Sequence, residues 1–206
     1  AVDCGTGISP LMEMARLLAT AGAKPKRTIV FIGSAGEEFG IWGADGYCKT
    51  HADELDKVSV VFNRDFGIEP PVGIAVPECM YNDLEAVNKP LVDAATAAWP
   101  FTYSKGAAHR KPAGLAGSDY SAFAMRGVPT LDFTCEDVYG LNFTYSEIWH
   151  TERDILNKQN GDYMQRTALV TAIELLGIAN LDHQLSRDGF FEAAQPAAPA
   201  KKGKKK

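Results

Sequence analysis

The sequence predicts an α/β sandwich, and three observations point to it. Short apolar runs alternate with stretches of helical periodicity along most of the chain. The apolar runs are continuous rather than alternating, as in strands covered on both faces. The length of 206 residues, with 46% hydrophobic and 23% charged residues, suffices for one domain with a full core.

The elements follow in order. Ser9 and Pro10 read as an N-cap and first helical residue. Leu11, Met14, Ala15 and Leu18 then recur at helical spacing, and Gly22 closes the helix. Thr28–Ser34 (TIVFIGS) reads as a buried strand bounded by turn residues. Gly40–His51 reads as a glycine-interrupted helix, and Val58–Phe62 as a second buried strand running into Asn63, Arg64 and Asp65. A helix is expected over Leu84–Ala98 and a basic, glycine-rich loop over Lys105–Gly117. Ser118–Met125 reads as a short helix and Val128–Phe133 as a third buried strand. Leu169, Ile173 and Leu176 mark one face of a last long helix from about Gly161 to Asn180. Residues 192–206 turn to Ala, Pro and Lys, a composition that cannot bury apolar surface, so a disordered tail is expected.

Charge narrows the function classes. Net charge is −5, yet five lysines fall in the last six residues. Without them 16 basic residues face 26 acidic ones, a poor match to a phosphate backbone, so no nucleic acid partner is expected. No apolar run is long enough to span a membrane. Cys4, Cys48, Cys79 and Cys135 show no zinc-ribbon spacing and allow three disulfide pairings or none.

The polar residues at the ends of the apolar elements carry the chemistry, because ligands of open α/β sheets bind beyond the strand ends. Asp3 lies in a glycine-rich turn before the first helix. Glu37 and Glu38 follow the first strand, Asp65 follows the second, and His150 ends the loop after the third. Each has an ordinary reading: turn residue, solvated acidic pair, cap, packed histidine. Together they form an oxygen-rich set with one nitrogen, the ligand chemistry of a hydrolytic zinc site. Adjacent glutamates point in different directions, so one can bind metal while the other accepts a proton from water.

These residues occur in an order that resembles the catalytic domain of the M28 family of zinc aminopeptidases and carboxypeptidases. The resemblance is carried by Asp3-Cys4-Gly5-Thr6-Gly7, Gly36-Glu37-Glu38-Phe39-Gly40, Asn63-Arg64-Asp65, Gly117-Ser118-Asp119-Tyr120-Ser121-Ala122-Phe123, and His150-Thr151 followed by Asp154. It implies a three-layer α/β/α sandwich with a mixed, mostly parallel central sheet, and two zinc ions. By position, Asp3 would bridge both metals, Glu38 and His150 would serve one, and Asp65 the other. Glu37 would be the general base. Ser118, Asp119, Tyr120 and Tyr145 would contact substrate, and the Lys105–Pro112 stretch would lie at the pocket rim. Residues 1–191 would form part of the catalytic domain, because the family's remaining histidine ligand belongs to a His-x-Asp motif upstream of the glycine-rich turn. One of the two zinc sites is therefore incomplete in this chain. Cys4 departs from the usual Asp or Asn. Trp149 stands where several relatives have tyrosine, which leaves Tyr145 or Tyr120 to offer a hydroxyl.

The expected function is a zinc-dependent exopeptidase acting on peptides, an aminopeptidase rather than a carboxypeptidase, in an extracellular or periplasmic location. Oligomeric state is open. Two alternatives remain: a single-zinc acyltransferase resembling glutaminyl cyclases, which needs only Asp3, Glu38 and His150, and a non-catalytic binding domain of peptidase-like fold.

Overall fold

A computed structural model describes residues 1–65, 68–142 and 144–193. The first helix, α1 (Gly5–Thr20), starts a full turn before the Ser9-Pro10 signal and carries Pro10 inside it. Burial of Thr6, Gly7 and Pro10 selects the extra turn, and the Thr6 hydroxyl donates to the Val2 carbonyl at 2.8 Å. Packing here overrides a local start signal that propensity alone would favour. The helix ends as expected: Gly22 takes φ +64°, with its N–H on Ala19 and that of Ala23 on Leu18, both at 3.0 Å.

The Thr28–Ser34 run departs from the buried strand its composition predicts. Among the described residues it has no ladder partner, and Val30 is 60% exposed. Its side chains still divide between two cores. Phe31 packs beside α1 and Ile32 beside the second helix, α2 (Trp42–Thr50). An apolar run encodes burial on two faces, but a strand also needs a neighbour for its backbone.

The expected strand Val58–Phe62 is shorter, β1 (Val61–Phe62). Then come β2 (Pro71–Pro77), α3 (Glu78–Asp93) and β3 (Thr102–Gly106). Strands β2 and β3 pair in parallel, with Gly73 opposite Thr102 and Pro77 opposite Gly106. Neither strand is legible in the sequence. Two prolines and a glycine disguise β2, although all of it but Ala75 is buried. Polar residues disguise β3. Helix α3 begins six residues before Leu84, directly at the end of β2, and carries Pro90 within it.

The short helix α4 (Tyr120–Ala124) is followed by β4 (Thr130–Leu131) and β5 (Thr134–Cys135). Strand β4 pairs in parallel with β1, and β5 antiparallel with β2, so the pairing is mixed. The last helix, α5 (Gly161–Ala179), lies where its periodicity places it. The Asn160 side chain caps it by accepting the Tyr163 N–H at 3.1 Å.

Burial shows the layering. Val60 and Phe62 pack with α3 and α5 around Ile74, Met80, Leu84 and Val170. Val61, between them, packs with α2 and α4 around Ala44, Cys48 and Phe123. Successive residues of one strand feed opposite cores, so helices cover both faces and the fold is a three-layer α/β sandwich. Of the tail expected from residue 192, positions 194–206 lie outside the described residues.

Candidate metal centre and active site

Connecting segments from distant parts of the chain meet in one cleft of about 260 Å³. Asp3 arrives at the entry to α1, Glu37 and Glu38 after the 28–34 run, and Asp65 just beyond β1. Tyr145 and His150 come from the segment before α5. All six line the cleft with Gly40, Ile41, Gly117 and Trp149.

Donor atoms of Asp3, Glu38 and His150 all lie within 4.8 Å of one another. His150 Nε2 stands 3.0 Å from the Glu38 carboxylate and 3.9 Å from Asp3 Oδ2. His150 occupies the left-handed region at φ +55°, an uncommon conformation for a residue with a Cβ and one that concentrates at functional sites. The surrounding turn enforces it. Trp149 N–H bonds the Tyr145 carbonyl at 2.9 Å, and Thr151 N–H bonds that of Ile148 at 2.9 Å. Ile148 is itself fully buried against Val2 and Ile68.

The cleft concentrates negative charge. Burial, then the carboxylates of Asp65, Glu38, Asp119 and Asp3, push the Glu37 carboxyl above its usual range. Burial pushes Asp65 up too, against a lowering hydrogen bond from Ser118 and with Asp3 and Asp119 adding to the rise. Asp119 is raised by burial, and a hydrogen bond from Ser34 partly offsets this. The Cys4 thiol is raised by burial and by Asp65, which keeps it protonated. The Tyr145 hydroxyl hydrogen-bonds Asp3, and burial with that bond drives it well above the ordinary phenol range. Carboxylates crowded this way favour a cation among them. Two carboxylates and an imidazole with converging donors fit zinc. Asp65 lies outside that tight group of three but lines the same cleft.

Close packing sets the position of Asp65. A Cβ on Gly7 would lie 2.2 Å from the Arg64 carbonyl oxygen and 3.2 Å from that of Asp65. Only glycine lets the first turn of α1 approach this loop. From the other side the Asn63 amide donates to Ser118 Oγ at 2.9 Å. Ser118, Asp119 and Tyr120 are thus placed off the cleft lining, with Ser118 behind Asp65. No residue of the 105–112 stretch lines the cleft. Lys105 instead pairs with Glu78 at 2.8 Å, and His109 stacks on Phe190 at 4.6 Å between ring centroids.

Sequence reasoning gave no role to Asp154. Its carboxylate accepts the backbone N–H groups of Val2 and Asp3. The available signal was an acid four residues past a loop histidine, which is weak without the fold.

Comparison with known proteins agrees with the geometry. The sequence profile of peptidase family M28 matches residues 1–174. Carboxypeptidase Q of Mus musculus is 26% identical over 196 residues, covering 91% of this chain and 37% of that protein. The solved peptidase M28 precursor of Shewanella amazonensis superposes with a TM-score of 0.70 at 25% identity, covering 90% of this chain and 39% of that one. A zinc aminopeptidase of Bacillus subtilis shares the fold at TM-score 0.62 and 18% identity, over 93% of this chain and 45% of its own. The chain therefore spans less than half the length of each of these relatives.

Proposed function

This chain belongs to peptidase family M28, and on that premise we propose that it carries the catalytic centre of a zinc-dependent exopeptidase. The observation behind the proposal is the convergence of Asp3, Glu38 and His150 donors within 4.8 Å, in a cleft that also holds Glu37 and Asp65. Asp3, Glu38, His150 and Asp65 would hold zinc, with Asp3 shared between two ions. The chemistry zinc supplies when bound is Lewis acidity toward the scissile carbonyl and toward water.

Glu37 is the proton carrier in this reading. Its carboxylate accepts a proton from water as the water oxygen bonds to the carbonyl carbon. As the C–N bond breaks, Glu37 returns that proton to the departing amine nitrogen. Desolvation and neighbouring carboxylates raise its proton affinity, which suits both halves of the task. The Tyr145 hydroxyl keeps its proton and donates it to Asp3, so it would donate to a substrate oxygen only on leaving Asp3. Ser118 supports Asp65 from behind, and Asp119 and Tyr120 belong to the same supporting loop. The substrate is a peptide with a free amino terminus, whose ammonium suits the acidic cleft, and the site of action is extracellular or periplasmic.

A single-zinc acyltransferase is the second reading, favoured by the tight grouping of only Asp3, Glu38 and His150. Metal analysis of the full-length protein, with assays on aminoacyl amides, N-blocked peptides and N-terminal glutaminyl peptides, separates the readings. About two zinc ions per chain and release of free amino-terminal residues are expected. One zinc with cyclisation of glutaminyl peptides supports the second reading. Absence of both activities from the zinc-loaded protein sinks both.

A further inference from the structure

We propose that Asp154 is a positioning residue for the metal centre, clamping the backbone of Asp3 so that its carboxylate faces Glu38 and His150. The proposal rests on the zinc reading of that cleft. Val2 and Asp3 precede α1, so no helical carbonyl is available to their N–H groups. Asp154 supplies the missing acceptors across 151 residues of sequence: Oδ1 accepts Val2 N–H at 2.5 Å, and Oδ2 accepts Asp3 N–H at 3.2 Å. One carboxylate spans two consecutive amides, and such charge-assisted bonds are shorter and stronger than neutral ones.

The clamp is seated on rigid ground. Val2 is fully buried with Ile148 and Ile68, and Asp154 is only 14% exposed. Its own N–H bonds the Thr151 carbonyl at 3.2 Å, so it belongs to the turn that carries His150. That one turn holds Asp3 twice: Asp154 fixes its backbone, and His150 Nε2 stands 3.9 Å from its carboxylate. Two ligands from opposite ends of the chain thereby share one brace. A second function follows from charge. Asp3 sits among carboxylates that repel it, and without a clamp the flanking segment could swing its side chain toward water. Groups that orient metal ligands from behind typically change metal affinity about 10–100-fold when removed.

The test measures zinc affinity of the full-length protein by competition with a chromophoric chelator, for wild type, Asp154→Ala and Asp154→Asn. The visible spectrum of the cobalt-substituted protein and the melting temperature of the metal-free protein are recorded alongside. Asp154→Ala is expected to weaken zinc binding about 10–100-fold and to alter the cobalt spectrum. Asp154→Asn keeps one acceptor oxygen and is expected to fall between the two; it carries the test if the alanine variant does not fold. Zinc affinity within twofold of wild type in the folded variants, or a lower metal-free melting temperature with an unchanged cobalt spectrum, overturns the role of Asp154 alone. A wild-type protein that binds no zinc overturns the metal reading beneath it as well.

Discussion

Glu37 and Glu38 are neighbours in sequence with different surroundings. Glu38 lies 3.0 Å from the His150 imidazole. Glu37 is pushed up by burial and four carboxylates. The proposed division between ligand and base would follow from where a single turn, 37–41, aims each side chain. That turn is tied by Gly40 and Ile41 N–H groups on the Glu37 carbonyl at 2.9 and 2.8 Å. Replacing Glu37 by Gln would remove the proposed proton acceptor and keep the shape. Hydrolysis by the full-length protein is expected to fall about 10²–10⁴-fold, with zinc content unchanged by metal analysis. Loss of zinc in the same variant would make Glu37 a ligand instead.

At the scale of elements, two contacts link the helices to the site and to the core. The first is Gly7 against the Arg64–Asp65 carbonyls. Gly7→Ala is expected to cost about 1–3 kcal/mol through overpacking. It should also weaken zinc binding, because α1 and the Asp65 loop must separate. Urea unfolding and chelator competition check the two effects. The second contact joins α3 and α5. Glu174 is fully buried and accepts the Asn88 amide N–H at 3.2 Å. Among the described residues, its Oε2 and the Asn88 Oδ1 are both buried without a partner. A protonated Glu174 has an O–H to offer that carbonyl, which would satisfy both atoms at once. Burial, against the lowering hydrogen bond from Asn88, lifts its pKa from 4.5 to about 7.

The sign of that coupling is definite. Between pH 4.5 and about 7 the folded chain holds a proton that the unfolded chain has lost. The contribution to stability is therefore complete below pH 4.5 and disappears as pH rises through about 7. Glu174→Gln imitates the protonated side chain at every pH. It is expected to match wild type in acid and to exceed it above neutrality by roughly 3 kcal/mol. Denaturant unfolding at acidic and alkaline pH measures the difference. Equal pH dependence in the two proteins would remove Glu174 as the source.

On the scale of the whole molecule, the proposed metal centre would join segments from residue 3 to residue 154. Anything that fills it must stabilise the fold that brings them together. Zinc at about 100 times its dissociation constant is expected to add about 2.7 kcal/mol, or roughly 5–10 °C in melting temperature for a domain of this size. Calorimetry with zinc and with a chelator reads this directly, and identical melting curves would mean that these segments do not share a cation. The net charge of −5 takes on a local meaning here. The carboxylates of Asp3, Glu38 and Asp119 lie near enough to Glu37 and Asp65 to raise them, so part of that charge is concentrated in a cleft suited to a cation.

By itself, the sequence determined the α/β class, the long periodic helix α5, the Gly22 stop of α1 and the placement of acids and one histidine at element ends. These are local signals, written in periodicity and in single residues with special backbone freedom. Strand pairing was decided by tertiary structure. The proline-bounded β2 and the polar β3 became paired strands, while the apolar Thr28–Ser34 run formed no ladder among the described residues. A ladder depends on what lies alongside, which composition does not specify. Tertiary structure also separated the lining residues from their supports, placing Ser118 behind Asp65 and Asp154 behind Asp3. The physical reason is range: a hydrogen bond spanning 151 residues leaves no periodic trace in the chain, whereas a helix repeats its signal every turn.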